Sequence, residues 1–226
     1  MSRYASFYGG GQIMTFMEVM SLCHHSYSDL RARQELNGTG TTWIVEQVIE
    51  NQGFMAYKIR KQGGWYAIVF RGTNFEDFGG DWLRNNIANL LGVTRPPQYV
   101  SGEDLASKHG QGKILVGHSL GGGIAMFASA FHGLPAATIF PAPVIPASLP
   151  DGGSRADVMN YVCRGEVLTE LTQAGRSGNF LRDAGMDYLN RRISNGHVHR
   201  RLGTDVWVQS NGGDPIARHA IGNIVV

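Results

Sequence analysis

The chain has 226 residues and a mass of 24.6 kDa, and one α/β unit commonly runs to roughly 200–250 residues, so a single domain spanning 1–226 is expected. Hydrophobic residues at 42% and charged residues at 17% exclude an intrinsically disordered chain. The formal net charge of +2 is too small to form a clustered basic face, which excludes nucleic acid as a partner.

Met1–Gln12 is rich in Gly and Tyr and is expected to be poorly ordered or to pack late. No basic n-region followed by an apolar h-region opens the chain, and the expectation is a cytoplasmic protein or one exported by a non-classical route. Between Met14 and Leu30, Phe16, Val19, Met20 and Cys23 recur near helical spacing and predict a helix over one sheet face. Thr41 or Thr42 is placed to cap a second helix carrying Trp43, Ile44, Val48 and Ile49. Met55, Tyr57 and Ile59 then alternate with Lys58 and Arg60, and Gly63-Gly64 leads into Trp65–Phe70, which predicts a hairpin.

After a polar loop over Asn74–Gly80, Asp81 is placed to cap a helix through Trp82, Leu83, Ile87 and Leu90. Pro96-Pro97 and a short Glu103–His109 helix lead into a strand at Lys113–Val116, a helix over Gly121–Phe131 and a strand over Ala136–Phe140. The stretch Ile114–Pro150 has no Asp, Glu, Lys or Arg. Pro135, Pro141, Pro143 and Pro146 break it, so it reads as buried strand, helix and strand and not as a membrane span. Pro141–Pro150 is a crossing loop, Val158–Arg164 a strand, Phe180–Ile193 a helix and Asp205–Gln209 a last strand. Asp214-Pro215 opens a short terminal helix in the cap-then-Pro arrangement. Alternating strands and helices predict an α/β fold: a mostly parallel central sheet with an N-terminal antiparallel hairpin and helices on both faces. Cys23 and Cys163 are too few for a disulfide framework and read as one bridge or two buried thiols.

Chemistry concentrates at Gly117-His118-Ser119-Leu120-Gly121, a GxSxG pentapeptide between a strand and a helix. That order holds a serine hydroxyl up at a sheet edge in a strained turn, where flanking glycines avoid collisions. A neutral serine needs a base, and the base needs an orienting acid. Glu166 follows the Val158–Arg164 strand at its carboxyl end and is the candidate acid. Asp214 is its rival, although its place before Pro215 suits a cap; Asp157, Asp183, Asp187 and Asp205 sit at the wrong strand end or on element surfaces. His219, the last histidine, is the candidate base. His118 lies inside the turn and is read as pointing away from Ser119; His132 follows the helix, and His197 and His199 flank Val198 with no third ligand in evidence. No metal and no cofactor are expected. The oxyanion formed by serine attack needs two donors, for which the backbone N–H of Leu120 and the N–H and hydroxyl of Thr73 are the candidates.

Ile68-Val69-Phe70-Arg71-Gly72-Thr73, Asp81-Trp82, Gly117–Gly122, a strand ending near an acid and a C-terminal His together resemble the class 3 (fungal-type) lipases, over about residues 41–223. The resemblance implies an α/β-hydrolase fold and a serine carboxylic ester hydrolase, of lipase or phospholipase A type, that cleaves acyl esters of lipids through an acyl-serine intermediate. It implies Ser119, Glu166 and His219 as the triad and Thr73 with Leu120 as the oxyanion hole. The family's acid is usually Asp where this chain has Glu. Gly117–Ala142 is also similar, more loosely, to bacterial phospholipase toxins, which implies a phospholipid substrate and an inhibitor or immunity protein as partner. Phe180, Leu181, Tyr188, Leu189, Arg191, Arg192, Arg200 and Arg201 would suit peripheral membrane contact. The alternative is a non-catalytic lipid- or partner-binding protein on a hydrolase scaffold, which the Glu at the acid position favours. A phosphate-binding loop at Gly112-Lys113 is set aside because Ile114 follows the lysine and a strand follows where a helix is needed.

Overall fold

The computed structural model describes residues 6–9, 12–37, 41–73, 95–153, 155–172 and 200–225. In chain order the elements are β1 (Phe7–Gly9), β2 (Gln12–Met14), α1 (Phe16–His25), β3 (Glu35–Leu36), β4 (Trp43–Asn51), β5 (Phe54–Lys61), β6 (Tyr66–Phe70), α2 (Pro97–His109), β7 (Ile114–His118), α3 (Leu120–His132), β8 (Pro135–Ile139), β9 (Asp157–Val162), α4 (Val167–Thr172), β10 (Thr204–Trp207), β11 (Gln209–Ser210) and β12 (Ile224–Val225). The expected helices around Trp82 and over Phe180–Ile193 lie outside the described residues.

One eight-stranded sheet runs in the order β10-β9-β8-β7-β6-β5-β4-β3. From β6 to β10 every neighbouring pair is parallel, and β3 to β6 are antiparallel. This is the predicted α/β-hydrolase-like architecture. Alternation along the strands divides the core between the two faces. Val69, Val116, Ile139 and Tyr161 pack with Phe16, Val19, Leu22 and Cys23 of α1. On the other side Ile68, Phe70 and Leu115 meet Tyr99 of α2 and Ile124 and Phe127 of α3. Cys23 and Cys163 are both free and buried, so the pair reads as two thiols.

Helix α1 starts where its capping chemistry stands: the Thr15 side chain accepts from Glu18 N–H, and Glu18 accepts from Thr15 N–H at 2.9 Å. Helix α2 is longer than expected. Pro97 opens it, because the first helical N–H has no partner within the helix and a proline costs nothing there.

Two expectations are corrected. Thr41 and Thr42 cap no helix; Trp43–Asn51 is strand β4. Its pairing with β5 shifts register between Val45 and Gln47. The bulge resets the pleat, so the doublets Ile44-Val45 and Val48-Ile49 fall four residues apart and imitate helical spacing. The N-terminal segment also has regular structure: β1 and β2 pair antiparallel, and Phe7 and Met14 are buried. The uncharged stretch from Ile114 divides into β7, α3, β8 and a Pro-rich crossing with short 3-10 turns at Pro146–Ser148 and Pro150–Gly153. Among the described residues no helix is long and apolar enough to cross a membrane.

Candidate active site

Strand β7 is buried along its whole length, and it delivers the chain into Ser119 at the carboxyl edge of the sheet. Ser119 has φ 57° and ψ −126°, a conformation that L side chains rarely adopt and that costs about 1–3 kcal/mol. Three backbone hydrogen bonds hold it there: Ser119 N–H donates to the Ile139 carbonyl at 3.1 Å, and the Ser119 carbonyl accepts from Gly123 at 3.1 Å and Ala142 at 2.8 Å. Close approach completes the turn. A Cβ on Gly117 would run into the backbone of Gly121 and come within 2.6 Å of Gly122 N.

Glu166 lies just past β9, at the start of α4, and is fully buried. One carboxylate oxygen accepts from Leu168 N–H at 2.8 Å; the other accepts from Thr169 N–H at 2.7 Å and from the Thr169 hydroxyl at 2.6 Å. The side chain therefore caps its own helix, folding back on the first-turn donors that α4 cannot satisfy internally. The oxygen facing away from the Thr169 contacts also meets His219 Nδ1, at 2.6 Å. The longer Glu side chain thus does both jobs.

His219 ends a 3-10 turn, Ala217–His219, and is 1% exposed. Asp214 starts that turn by accepting from Ile216 and Ala217 N–H, both at 2.9 Å, so its carboxylate is a cap as its place before Pro215 suggests. Arg218 ties the same turn to the loop before Glu166 by donating to the Arg164 carbonyl at 3.0 Å.

His118 was expected to take no part, and here the structure adds a residue. It is buried; its Nε2 lies 2.9 Å from the His219 carbonyl and its Nδ1 2.7 Å from the Tyr27 hydroxyl. Its ring lies 4.7 Å from that of His219, centre to centre. Phe140, at φ 44°, closes on both imidazoles at 6.1 and 6.0 Å. Burial first, and the adjacent His219 second, hold His118 well below the usual imidazole range. The signal available in the sequence was that the variable position of the pentapeptide is an imidazole.

Leu120 is the first residue of α3, where a backbone N–H has no intrahelical partner. Thr73 is half-buried, three residues beyond Phe70, which pairs with Gly117 on β7. The intervening Gly72 abuts the elbow: a Cβ there would approach the His118 carbonyl to 2.6 Å. Glu166 and His219 meet beyond the carboxyl end of β9, and the ring of His118, the residue before Ser119, lies against His219; Thr73 follows β6 and Leu120 opens α3 on either side of the elbow. His132 is elsewhere, paired with Glu103 at 2.8 Å, and His197 and His199 lie outside the described residues. Among the described residues no three His, Cys, Asp or Glu side chains form a metal-binding group. Arg201, expected to suit membrane contact, is instead turned inward: its side chain is 7% exposed, grips Asp205 at 3.1 and 2.8 Å and reaches the Thr169 carbonyl and Thr172 hydroxyl of α4.

A phospholipase-like family model, described as a Tle-like phospholipase domain, matches residues 24–198. A search of the curated proteins finds no match. Among solved structures, the lipase of Rhizomucor miehei in its native propeptide complex is similar, with a TM-score of 0.51 and 11% identity over 90% of this chain and 74% of that one. At that identity the likeness speaks to the fold alone. Ser119 and Glu166 fall inside the family match, and His219 follows it.

Proposed function

The chain belongs to the Tle-like phospholipase family, a lipase-like hydrolase domain, and on that premise we propose that it is a serine carboxylic ester hydrolase cleaving acyl esters of phospholipids. The observation that carries this reading is the buried His219–Glu166 pair at 2.6 Å, its imidazole tilted against the residue that precedes a serine in a strained turn.

In the proposed reaction Glu166 accepts from His219 Nδ1–H and so presents Nε2 as the basic nitrogen. Nε2 takes the Ser119 hydroxyl proton as Oγ attacks the ester carbonyl. The Leu120 and Thr73 donors stabilise the oxyanion. Collapse breaks the ester C–O bond, the alcohol leaves with the proton from His219, and the acyl group stays on Ser119. Water then loses a proton to His219, attacks the acyl carbon and releases the fatty acid as the proton returns to Ser119.

A phospholipid substrate sits in a surface, and Trp207, the last residue of β10, supports contact with one. It is 44% exposed at the same sheet edge as Ser119, with the Arg164 guanidinium 5.4 Å from its ring. Peripheral membrane contact is therefore proposed there. The looser toxin likeness adds an inhibitor or immunity protein as the proposed partner.

A serine-directed fluorophosphonate and phospholipid vesicles test the reading. The wild type is expected to label at Ser119 and release fatty acid, with both lost in Ser119→Ala and His219→Ala. A folded wild type that does neither is a non-catalytic binder.

A further inference from the structure

Tyr27, His118 and the His219 backbone form a partly buried chain of hydrogen bonds that the reaction above leaves unused. We propose that His118 is a positioning residue: kept in one tautomer by the Tyr27 hydroxyl, it locks the His219 turn to the strand that carries Ser119 and sets the gap between base and nucleophile. This rests on Ser119 and His219 being that nucleophile and that base.

The direction of each bond follows from chemistry. A carbonyl only accepts, so His118 Nε2 carries a hydrogen and donates it to His219 at 2.9 Å. A neutral ring then has its lone pair on Nδ1. Tyr27, whose hydroxyl burial keeps protonated, donates to that nitrogen at 2.7 Å. The room for this bond comes from Gly72, where a Cβ would run into the Tyr27 hydroxyl.

His219 is consequently held on two sides. Glu166 holds its Nδ1 edge; His118 holds its carbonyl and one ring face, at 4.7 Å. The peptide between His118 and Ser119 is planar and stiff. With the His118 ring pinned at both nitrogens and the Ser119 backbone held by its own three hydrogen bonds, the His219 turn is tied to the elbow through a single residue.

The test uses kcat and KM on a soluble para-nitrophenyl ester for His118→Phe, His118→Gln and Tyr27→Phe, with thermal melting as the check on folding. Phe fills the site without a donor and is expected to lower kcat about a hundredfold at unchanged KM, the scale of a misplacement near 1 Å. Gln places an amide N–H near the Nε2 position and is expected to restore most of that loss, while Tyr27→Phe falls between. Imidazole nitrogen shifts of wild-type protein are expected to show His118 as the Nε2–H tautomer. His118→Phe with wild-type kcat, His118→Gln as impaired as His118→Phe, or an Nδ1–H tautomer would overturn the proposal. Should His118→Phe not fold, Tyr27→Phe and the tautomer decide. A wild type that neither hydrolyses the ester nor labels sinks the hydrolase reading, and the positioning role with it.

Discussion

Glu166 answers two demands at once, and the way it does so separates it from its rival. Three donors from α4 fix its carboxylate before His219 adds a fourth. Glu166→Gln replaces one acceptor oxygen by a donor and is expected to cut kcat by about 10⁴-fold with the fold intact, as loss of a triad acid does elsewhere. Asp214→Asn keeps an oxygen for its two N–H partners and is expected to leave kcat unchanged; a reversed result reassigns the acid. Ser119 carries the opposite signature, a backbone conformation that costs stability. Ser119→Gly and Ser119→Ala are both expected to be inactive, but the glycine variant should melt higher because it relieves strain worth about 1–3 kcal/mol, more than the entropy it adds to the unfolded chain. Equal melting temperatures would show the strain is not there.

At the scale of elements, the elbow is a junction that works through close approach. The end of β7 and the first turn of α3 touch backbone to backbone at Gly117 and Gly121. Gly117→Ala is expected to destabilise the protein by about 1–3 kcal/mol, since the collision is with backbone and no side chain can swing aside. Denaturant unfolding measures this, and a stability equal to wild type would mean that the junction yields. In strand β4 a tertiary pairing masks the element's own period. Its apolar doublets carry a helical period only because a bulge interrupts the pleat, and the bulge belongs to its pairing with β5. Ile44, Val45, Val48 and Ile49 are all β-branched, a propensity that agrees with the strand observed and against the helix expected.

Across the whole molecule, the buried neutral His118 couples stability to pH. Its folded pKa lies below the ordinary imidazole value of about 6.5, which the unfolded chain retains. As pH falls through about 6.5 the unfolded chain binds a proton that the native state refuses, so the term costs stability progressively, by about 1.4 kcal/mol per pH unit, until the folded pKa is reached. Urea unfolding between pH 7 and 5 is expected to show that loss. The His118→Gln variant, with nothing to titrate there, should show a shallower slope; the same slope in both proteins would contradict a neutral buried His118.

Much of this molecule was legible in order along the chain. The turn after β6 and the histidine near the end take their meaning from the elbow and from chain order, whereas the pentapeptide and the acid beyond β9 follow from local chemistry: glycines where backbones touch, a strand feeding a helix, a carboxylate at a strand's carboxyl end. Those signals survive without tertiary context because they act over a few residues. The bulge in β4, the burial of Phe7 and Arg201, the capping use of Glu166 and the link from Tyr27 through His118 to His219 did not survive it. Tyr27 and His118 are separated by 91 residues, and His118 and the His219 carbonyl by 101. No local pattern encodes such a pairing, because only the packing of α1 and the C-terminal turn around β7 brings the partners within hydrogen-bond reach.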